Sequence, residues 1–443
     1  MRSISRLERT FELLQRIDEN SQPPDKITLD FFRSHRYFGS HDRQLISETV
    51  FGMLRSKRFV EVLFDHYLRK SHLSFSASSS FLGFFPLYVI YKVAIERLPV
   101  RELDEQAASY WKEFIPQIDL EHFVNWASNP EVVDSLPGDE IARLGIRYSF
   151  HNWMVREWSN EFRNETEELL RSLNVPGRPA LRVNSLKANR EECQQRLHGE
   201  GIGTEPTNNS PTGLVCMKRF NRDTSRAFRE GWFEFQDEGS QLISYFADPK
   251  PGMFVIDACA GAGGKTLHLA ALMNNKGEVL AVDIERRRLA ELTVRAQRAG
   301  VRNVRTISLA EMQRDEYRGK ADLVLVDAPC SGVGTIRRTP WKKWNVTESS
   351  IEQFSAEQRR ILDANSEFVR SHGRLVYATC SLFRKENEDV VNGFLDAHKD
   401  FVLEDPGLLL QLQPPYPHIA MINLLPHRHD TDGFFVALMR RTA

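Results

Sequence analysis

Along the first third of the chain, hydrophobic positions recur three or four residues apart. Ile4, Leu7, Phe11 and Leu14 form one such stripe. Ile46, Val50 and Leu54 form another, and Val60, Leu63 and Tyr67 continue it after a break. This spacing lines one face of an amphipathic helix. Glycine is rare here and no strand-type alternation appears, so residues 1–130 are predicted to form an all-α bundle, with Ser76–Ser80 as a loop. Asn129-Pro130 and Pro137-Gly138-Asp139-Glu140 carry turn chemistry and mark a boundary. Residues 131–240 read as a linker and a small α+β lobe. A helix is expected over Trp153–Leu173 and another near Arg190–Leu197, with strands at Ala180–Asn184 and Gly231–Gln236.

Residues 241–443 have a different texture. Phe254–Asp257, Val279–Asp283, Val304–Ile307, Ala321–Asp327 and Arg374–Thr379 are short apolar runs rich in β-branched residues. Helical segments such as Arg286–Ala299 and Ile351–Val369 separate them. Strand–helix alternation predicts an α/β, doubly wound, mostly parallel sheet with helices on both faces. Phe401–Leu403 and Phe434–Leu438 are candidates for a closing antiparallel pair.

Composition narrows the partners. Across 443 residues, 59 Lys and Arg face 60 Asp and Glu, a net charge of −1. Any affinity for nucleic acid must then come from a local basic surface. The best apolar run, Phe81 to Tyr91, is shorter than the ~20 residues of a membrane span and contains Pro86. The N-terminus lacks a secretory pattern. The five cysteines are scattered, odd in number and without zinc-finger spacing, which fits a reducing cytoplasm rather than a disulfide framework.

The chemistry gathers at predicted strand ends. Strand Phe254–Asp257 runs into Cys259-Ala260-Gly261-Ala262-Gly263-Gly264-Lys265, where a helix should begin. Glycines there let a ligand approach the backbone, and the helix start offers amide donors. The spacing matches neither the dinucleotide fingerprint nor the phosphate-binding loop. Asp283 ends the next strand, where a carboxylate can accept from both hydroxyls of a ribose. Two further strands exit into Asp327-Ala328-Pro329-Cys330 and Thr379-Cys380-Ser381, at the same carboxyl edge. A thiolate adding to C6 of a pyrimidine makes C5 nucleophilic towards a methyl donor, one hard step split into easier ones. Asp327 is placed to stabilise charge developing at N3 of cytosine.

Asp257–Leu269 (DACAGAGGKTLHL), Asp327–Pro340 (DAPCSGVGTIRRTP) and Tyr377–Ser381 (YATCS) resemble the Sun/RsmB family of RNA cytosine-C5 methyltransferases. Arg182-Val183-Asn184, Leu186-Lys187, Gln236–Gln241, Lys385-Glu386-Asn387-Glu388 and Asp432–Phe435 are similar too. Together these segments span roughly 145–440. The helical N-terminal part resembles a NusB-like RNA-binding domain, through Asp42-Arg43, Val50-Phe51-Gly52 and Leu54-Arg55.

The resemblance implies a class I, Rossmann-like methyltransferase fold, with S-adenosylmethionine held by Cys259–Lys265, Asp283 and Asp327. It implies that Cys380 attacks C6 and that Cys330 helps release the product. Two departures stand out. Ala262 replaces the family's usual proline. Ala310, followed by Glu311, stands where an Asp near the adenine is usual.

Arg337, Arg338, Trp341, Lys342 and Lys343 interleave cations and indole and follow the Cys330 loop, so they are the expected RNA-binding surface. Enclosing a base requires it unstacked, which favours accessible loops of structured RNA. Ribosomal RNA is the favoured acceptor by resemblance and transfer RNA the alternative. An RNA-binding ribosome-assembly factor with weak or no methylation is the reading from another class. His427 and His429 lack a partner at metal-ligand spacing, and His268 reads as a packing residue. No metal is expected, no membrane, and a monomer.

Overall fold

The computed structural model describes residues 3–20, 22–75, 80–99, 102–103, 105–129, 131–132, 135–136, 138–405 and 421–442. The chain folds as two compact units, Met1–Asn174 with Lys343–Asn345, and Val175–Lys342 with Val346–Ala443.

The first unit is helical, as the stripes predict. Its helices include Ser3–Asp18, Pro24–Ser34, Ser40–Arg55, Lys57–Lys70 and Ser80–Ile90. Leu7, Phe11, Leu14, Ile46, Val50, Val60, Leu63 and Tyr67 enter one core with Trp111 and Phe123. The side chain of Ile4 lies outside the described residues, as do 76–79 of the expected Ser76–Ser80 loop and Pro130 and Pro137 of the expected turns. Helices Asn152–Phe162 and Thr166–Leu173 also belong to this unit. Trp158, Leu169, Leu170 and Leu173 are buried, and by contact this unit runs to Asn174. Among the described residues no helix is long and apolar enough to cross a membrane.

The second unit carries two sheets. Strands β1 (Ala180–Val183), β2 (Thr204–Pro206), β3 (Gly213–Cys216) and β4 (Phe233–Phe235) form an antiparallel lobe in the order β2-β3-β1-β4. Pattern reading found β1, β4 and the helix Arg190–Gly199 between them. It missed β2 and β3, which are only three and four residues long.

The main sheet contains β5 (Phe254–Asp257), β6 (Glu278–Asp283), β7 (Val304–Ser308), β8 (Ala321–Asp327), β9 (Val369–Thr379), β10 (Phe401–Leu403), β11 (Met421–Leu424) and β12 (Phe434–Arg441). Its order is β10-β12-β9-β8-β5-β6-β7, with β11 paired to β12. Strands β5 to β9 are parallel, and β12 runs antiparallel to β9. The expected closing pair is present, Phe401 facing Arg441. Val255, Val279, Leu325 and Val376 enter one core, and their neighbours Ile256, Leu280, Val324 and Leu375 enter the other. Successive strand side chains point to opposite faces, so each strand serves two helical layers and reads as a continuous apolar run.

Strands added after β5 extend the sheet in one direction through β6 and β7, and strands from β8 onward extend it in the other. The reversal between β5 and β8 is a topological switch point, where ligands of open α/β sheets bind beyond the carboxyl ends.

Candidate active site

The loop leaving β5 is pinned from three sides. Gly263 precedes the helix Gly264–Leu272 at φ +86°, and a Cβ there would fall 2.4 Å from Cγ of Leu292. Arg295 donates to the Ala262 carbonyl at 2.6 Å. Arg182, buried in the lobe, donates to the Gly264 carbonyl at 2.5 Å and also to Gln236. The looser loop that Ala262 would suggest is thus held by arginines from outside it. The segments Arg182-Val183-Asn184 and Gln236–Gln241 acquire a physical role, since Asn184 also donates to the Ala299 carbonyl at 2.8 Å.

Beyond this loop lies a cavity of about 720 Å³. Cys259, Ala260, Gly261, Ala262, Gly264, Lys265, Asp283 and Asp327 all line it. Gly263 is not among the lining residues, being turned against Leu292. Asp283 accepts the Gly261 and Glu285 amides, one on each carboxylate oxygen, both at 2.8 Å. Ile284 and Leu309, 76% and 43% exposed, add apolar walls at the mouth, opposite Ile361 and Asn365 of the helix Glu348–Ser366. Glu311 does not line the cavity. It takes Arg286 at 2.7 Å and the Ser308 hydroxyl at 2.6 Å.

Asp257 was legible only as a strand end. In the structure its Oδ2 accepts the Thr266 hydroxyl at 2.7 Å, while Oδ1 is buried on the cavity wall with no partner. Burial, outweighing the Thr266 bond, pushes its pKa up to about 7. A cationic ligand group would meet that oxygen and relieve the cost of burying it.

Asp327 and Lys265 form an ion pair at 2.6 Å on the cavity's inner edge. Burial alone would depress the lysine, but Asp327 outweighs it and the pKa is raised. Past this pair stand the two cysteines, with Sγ of Cys330 3.3 Å from Sγ of Cys380. Gly334 lets their loops close. Its amide donates to the Cys380 carbonyl at 2.9 Å, and a Cβ would lie 2.1 Å from the Gly433 carbonyl. The contact between the sulfurs acts oppositely on the two. It lowers Cys380, aided by Lys342 and Lys265 and opposed by burial. It raises Cys330, and burial raises that thiol further. The third cysteine nearby, Cys259, is pushed above its usual range by burial and by Asp257.

The structure places most of the expected RNA-binding residues in buried or ion-paired positions. Lys343 is fully buried, donating to the carbonyls of Arg55 and Tyr148 and to Oδ1 of Asn174. Arg337 is buried against Asp430 at 2.9 Å and the Thr431 carbonyl at 3.1 Å. Arg338 is bound by Asp432 at 2.6 Å and Asp237 at 2.7 Å. Trp341 is only 8% exposed. An alternating cation–indole run carries no information about which acidic partners the fold brings up to it. Lys342 is half-buried and stays beside the cysteines, donating to the Gly332 carbonyl and the Thr335 hydroxyl at 3.2 Å each. His268 packs edge-on against Tyr245, with ring centroids 4.9 Å apart. His429 accepts the Leu425 amide within the short helix Pro426–His429.

A seven-strand path reversing at β5/β8, a glycine loop at that switch point and an acid ending the next strand define a class I methyltransferase. Comparison with known proteins carries this further. Residues 244–440 match the model of the 16S rRNA methyltransferase RsmB/F family, and 150–221 match the ferredoxin-like domain of RsmF/B-like methyltransferases. The chain belongs to this Sun/RsmB family. It is 29% identical over 458 residues to the probable ribosomal RNA small subunit methyltransferase B of Bacillus subtilis (strain 168), covering 100% of both chains. The crystal structure of the protein PH0851 is 27% identical, with a TM-score of 0.77 over 98% of each chain. A methyltransferase homologue from Pyrococcus horikoshii is 28% identical, with a TM-score of 0.60 over 69% of this chain and 100% of its own.

Proposed function

We propose that this protein transfers a methyl group from S-adenosylmethionine to C5 of a cytosine in small-subunit ribosomal RNA, through a covalent adduct between Cys380 and C6. The observation that carries the reading is the pair of sulfurs 3.3 Å apart, one strand end from a Lys–Asp ion pair that borders the cavity. The ribosomal acceptor rests on the name of the Bacillus relative and of the family model.

The residues present fit adenosylmethionine. The orphaned Oδ1 of Asp257 suits the ammonium of its methionine tail. Each oxygen of Asp283 has accepted one amide and keeps a lone pair for a ribose hydroxyl. Ile284 and Leu309 offer apolar faces to a base. When bound, the cofactor supplies an electrophilic methyl group.

The chain's own groups prepare the acceptor. Lys342 and Lys265 favour the Cys380 thiolate, the form that adds to C6. Attack at C6 pushes electrons onto N3, and Asp327, hydrogen-bonded to Lys265, relays a proton from that lysine to N3 to neutralise them. After transfer, the C5 proton must leave and the C6–S bond must break. Cys330, as a thiolate in contact with the departing sulfur, takes the C5 proton, the C5–H pair forms the C5=C6 bond, and the C6–S pair returns to Sγ of Cys380. The helical first unit is assigned to RNA binding by its NusB-like resemblance.

The test uses labelled S-adenosylmethionine with separated ribosomal and transfer RNA lacking the modification. Wild type and Cys380→Ala are compared and the labelled nucleoside is identified. Label in 5-methylcytosine of ribosomal RNA, absent with Cys380→Ala, is expected. Label only in transfer RNA overturns the acceptor. No label in either RNA, with cofactor still bound, overturns the reaction and favours an assembly factor.

A further inference from the structure

Two cysteines in contact, in the loops that leave adjacent strands, need something that makes them unequal. Glu386, fully buried in the short turn after β9, sits behind both. Its Oε1 accepts the backbone amide of Ser331 at 2.8 Å and the Gln358 side chain at 3.0 Å. Its Oε2 accepts the hydroxyls of Ser331, at 2.5 Å, and of Ser381. Four donors match the acceptor capacity of an ionised carboxylate. Ser331 follows Cys330 and Ser381 follows Cys380, so one side chain ties together the two loops that carry the sulfurs. The turn is itself locked. Tyr377 donates to the Glu386 carbonyl at 2.6 Å, and Asn387 accepts from Thr379 at 2.6 Å and donates to the Ser381 carbonyl at 3.1 Å. Gln358 closes the arrangement by also donating to the Pro329 carbonyl at 2.9 Å.

The electrostatics of this site are asymmetric. Glu386 takes both the amide and the hydroxyl of Ser331, next to Cys330, but only the hydroxyl of Ser381, next to Cys380, and its charge raises the Cys330 thiol. Cys380 faces Lys342 and Lys265, with Asp327 opposing them. Resting on the reading above, we propose that Glu386 is the positioning residue that makes the cysteines inequivalent, leaving Cys330 as the proton holder and Cys380 as the nucleophile. A buried carboxylate opposes a second negative charge near it, and the thiolate is the reactive form of cysteine. Glu386 is not among the residues that line the cavity. It acts through its charge, which the serines next to the cysteines help to hold in place.

The test is the rate at which iodoacetamide modifies each cysteine in the full-length protein as pH is varied, read by peptide mass spectrometry. In wild type, Cys380 should react first and at the lower pH midpoint. In Glu386→Gln the preference for Cys380 should fall at least tenfold, and kcat should fall with KM for RNA little changed. In Ser331→Ala, which keeps the carboxylate, the Cys380-first order should persist. Cys330 reacting first in wild type overturns the proposal. So does a Glu386→Gln protein that keeps order and midpoints while only its melting temperature drops. If Glu386→Gln does not fold, Glu386→Asp replaces it, and loss of the order despite the retained charge overturns the proposal. Alkylation needs neither RNA nor methyl transfer. An intact order with no methylation therefore counts against the reaction and not against the role of Glu386.

Discussion

Cys330 and Cys380 lie in the loops that leave the neighbouring parallel strands β8 and β9, and their sulfurs are in hydrogen-bonding contact at 3.3 Å. Their surroundings differ: Lys342 and Lys265, opposed by Asp327, act on Cys380, while Glu386 acts on Cys330. If Cys380 bonds to C6 and Cys330 assists release, Cys330→Ala should accumulate a protein–RNA adduct that survives denaturation. Cys380→Ala should form none. Denaturing gels with labelled RNA read both, and the reverse pattern would exchange the two roles.

Asp283 spends one lone pair of each oxygen on the Gly261 and Glu285 amides, which fixes the carboxylate plane at the cavity wall. Asp283→Ala should weaken adenosylmethionine binding about 100-fold, the loss of two hydrogen bonds to a charged group at roughly 1.5 kcal/mol each. Retention of RNA should change little. Calorimetric titration with the cofactor checks the first, and unchanged affinity would remove the ribose assignment.

Much of this site was readable before any coordinates, and the physical reason is local. Alternation of apolar runs and helices fixes a parallel sheet, and parallel sheets bind at one edge, so Asp283, Asp327, Cys330 and Cys380 could be placed together from strand ends alone. What could not be read depends on pairing at a distance. Arg337, Arg338 and Lys343 have the composition of a phosphate-binding patch. Their charges are consumed by Asp430, by Asp237 and Asp432, and by carbonyls of Arg55 and Tyr148. Glu386 was visible only as one letter of a motif, because its role is defined by four donors from three other segments. Arg295, which clamps Ala262, lies 33 residues away along the chain.

Asp257 predicts a pH dependence of cofactor binding. Burial raises its pKa to about 7, so in the cofactor-free protein the carboxyl is neutral below that pH and ionised above it. An ammonium at Oδ1 binds the ionised form, so affinity should be constant above about pH 7 and fall roughly tenfold per unit below it. Stability of the cofactor-free protein should move the other way. Between the unfolded pKa near 4 and the folded value, the folded state holds the extra proton, so stability falls as pH rises through this window. Asp257→Asn should bind the cofactor more weakly and flatten both profiles. Titrations from pH 5.5 to 8.5 that show no slope in wild type would disprove the ammonium contact.

Lys342 and Lys343 are adjacent in sequence and opposite in consequence. Lys343 gives its donors to Arg55, Tyr148 and Asn174 and lies 3.8 Å from the centre of the Phe150 ring. Burial and Arg55 depress its pKa, while three oxygens and an aromatic face surround its nitrogen. Lys343→Met escapes the cost of burying the amine but strands three acceptors in the interior, at about 1–3 kcal/mol for each one left unpaired. The acceptors win, and urea unfolding should register a net loss of about 3 kcal/mol. Lys342 sits beside Cys380 and helps lower its pKa. Lys342→Met should leave stability nearly unchanged and move the rising limb of the pH–rate profile to higher pH. Activity should drop several-fold at neutral pH and recover at alkaline pH. Equal losses of stability in both variants would mean that Lys342, too, is structural and that Cys380 draws its activation from Lys265 and Cys330 alone.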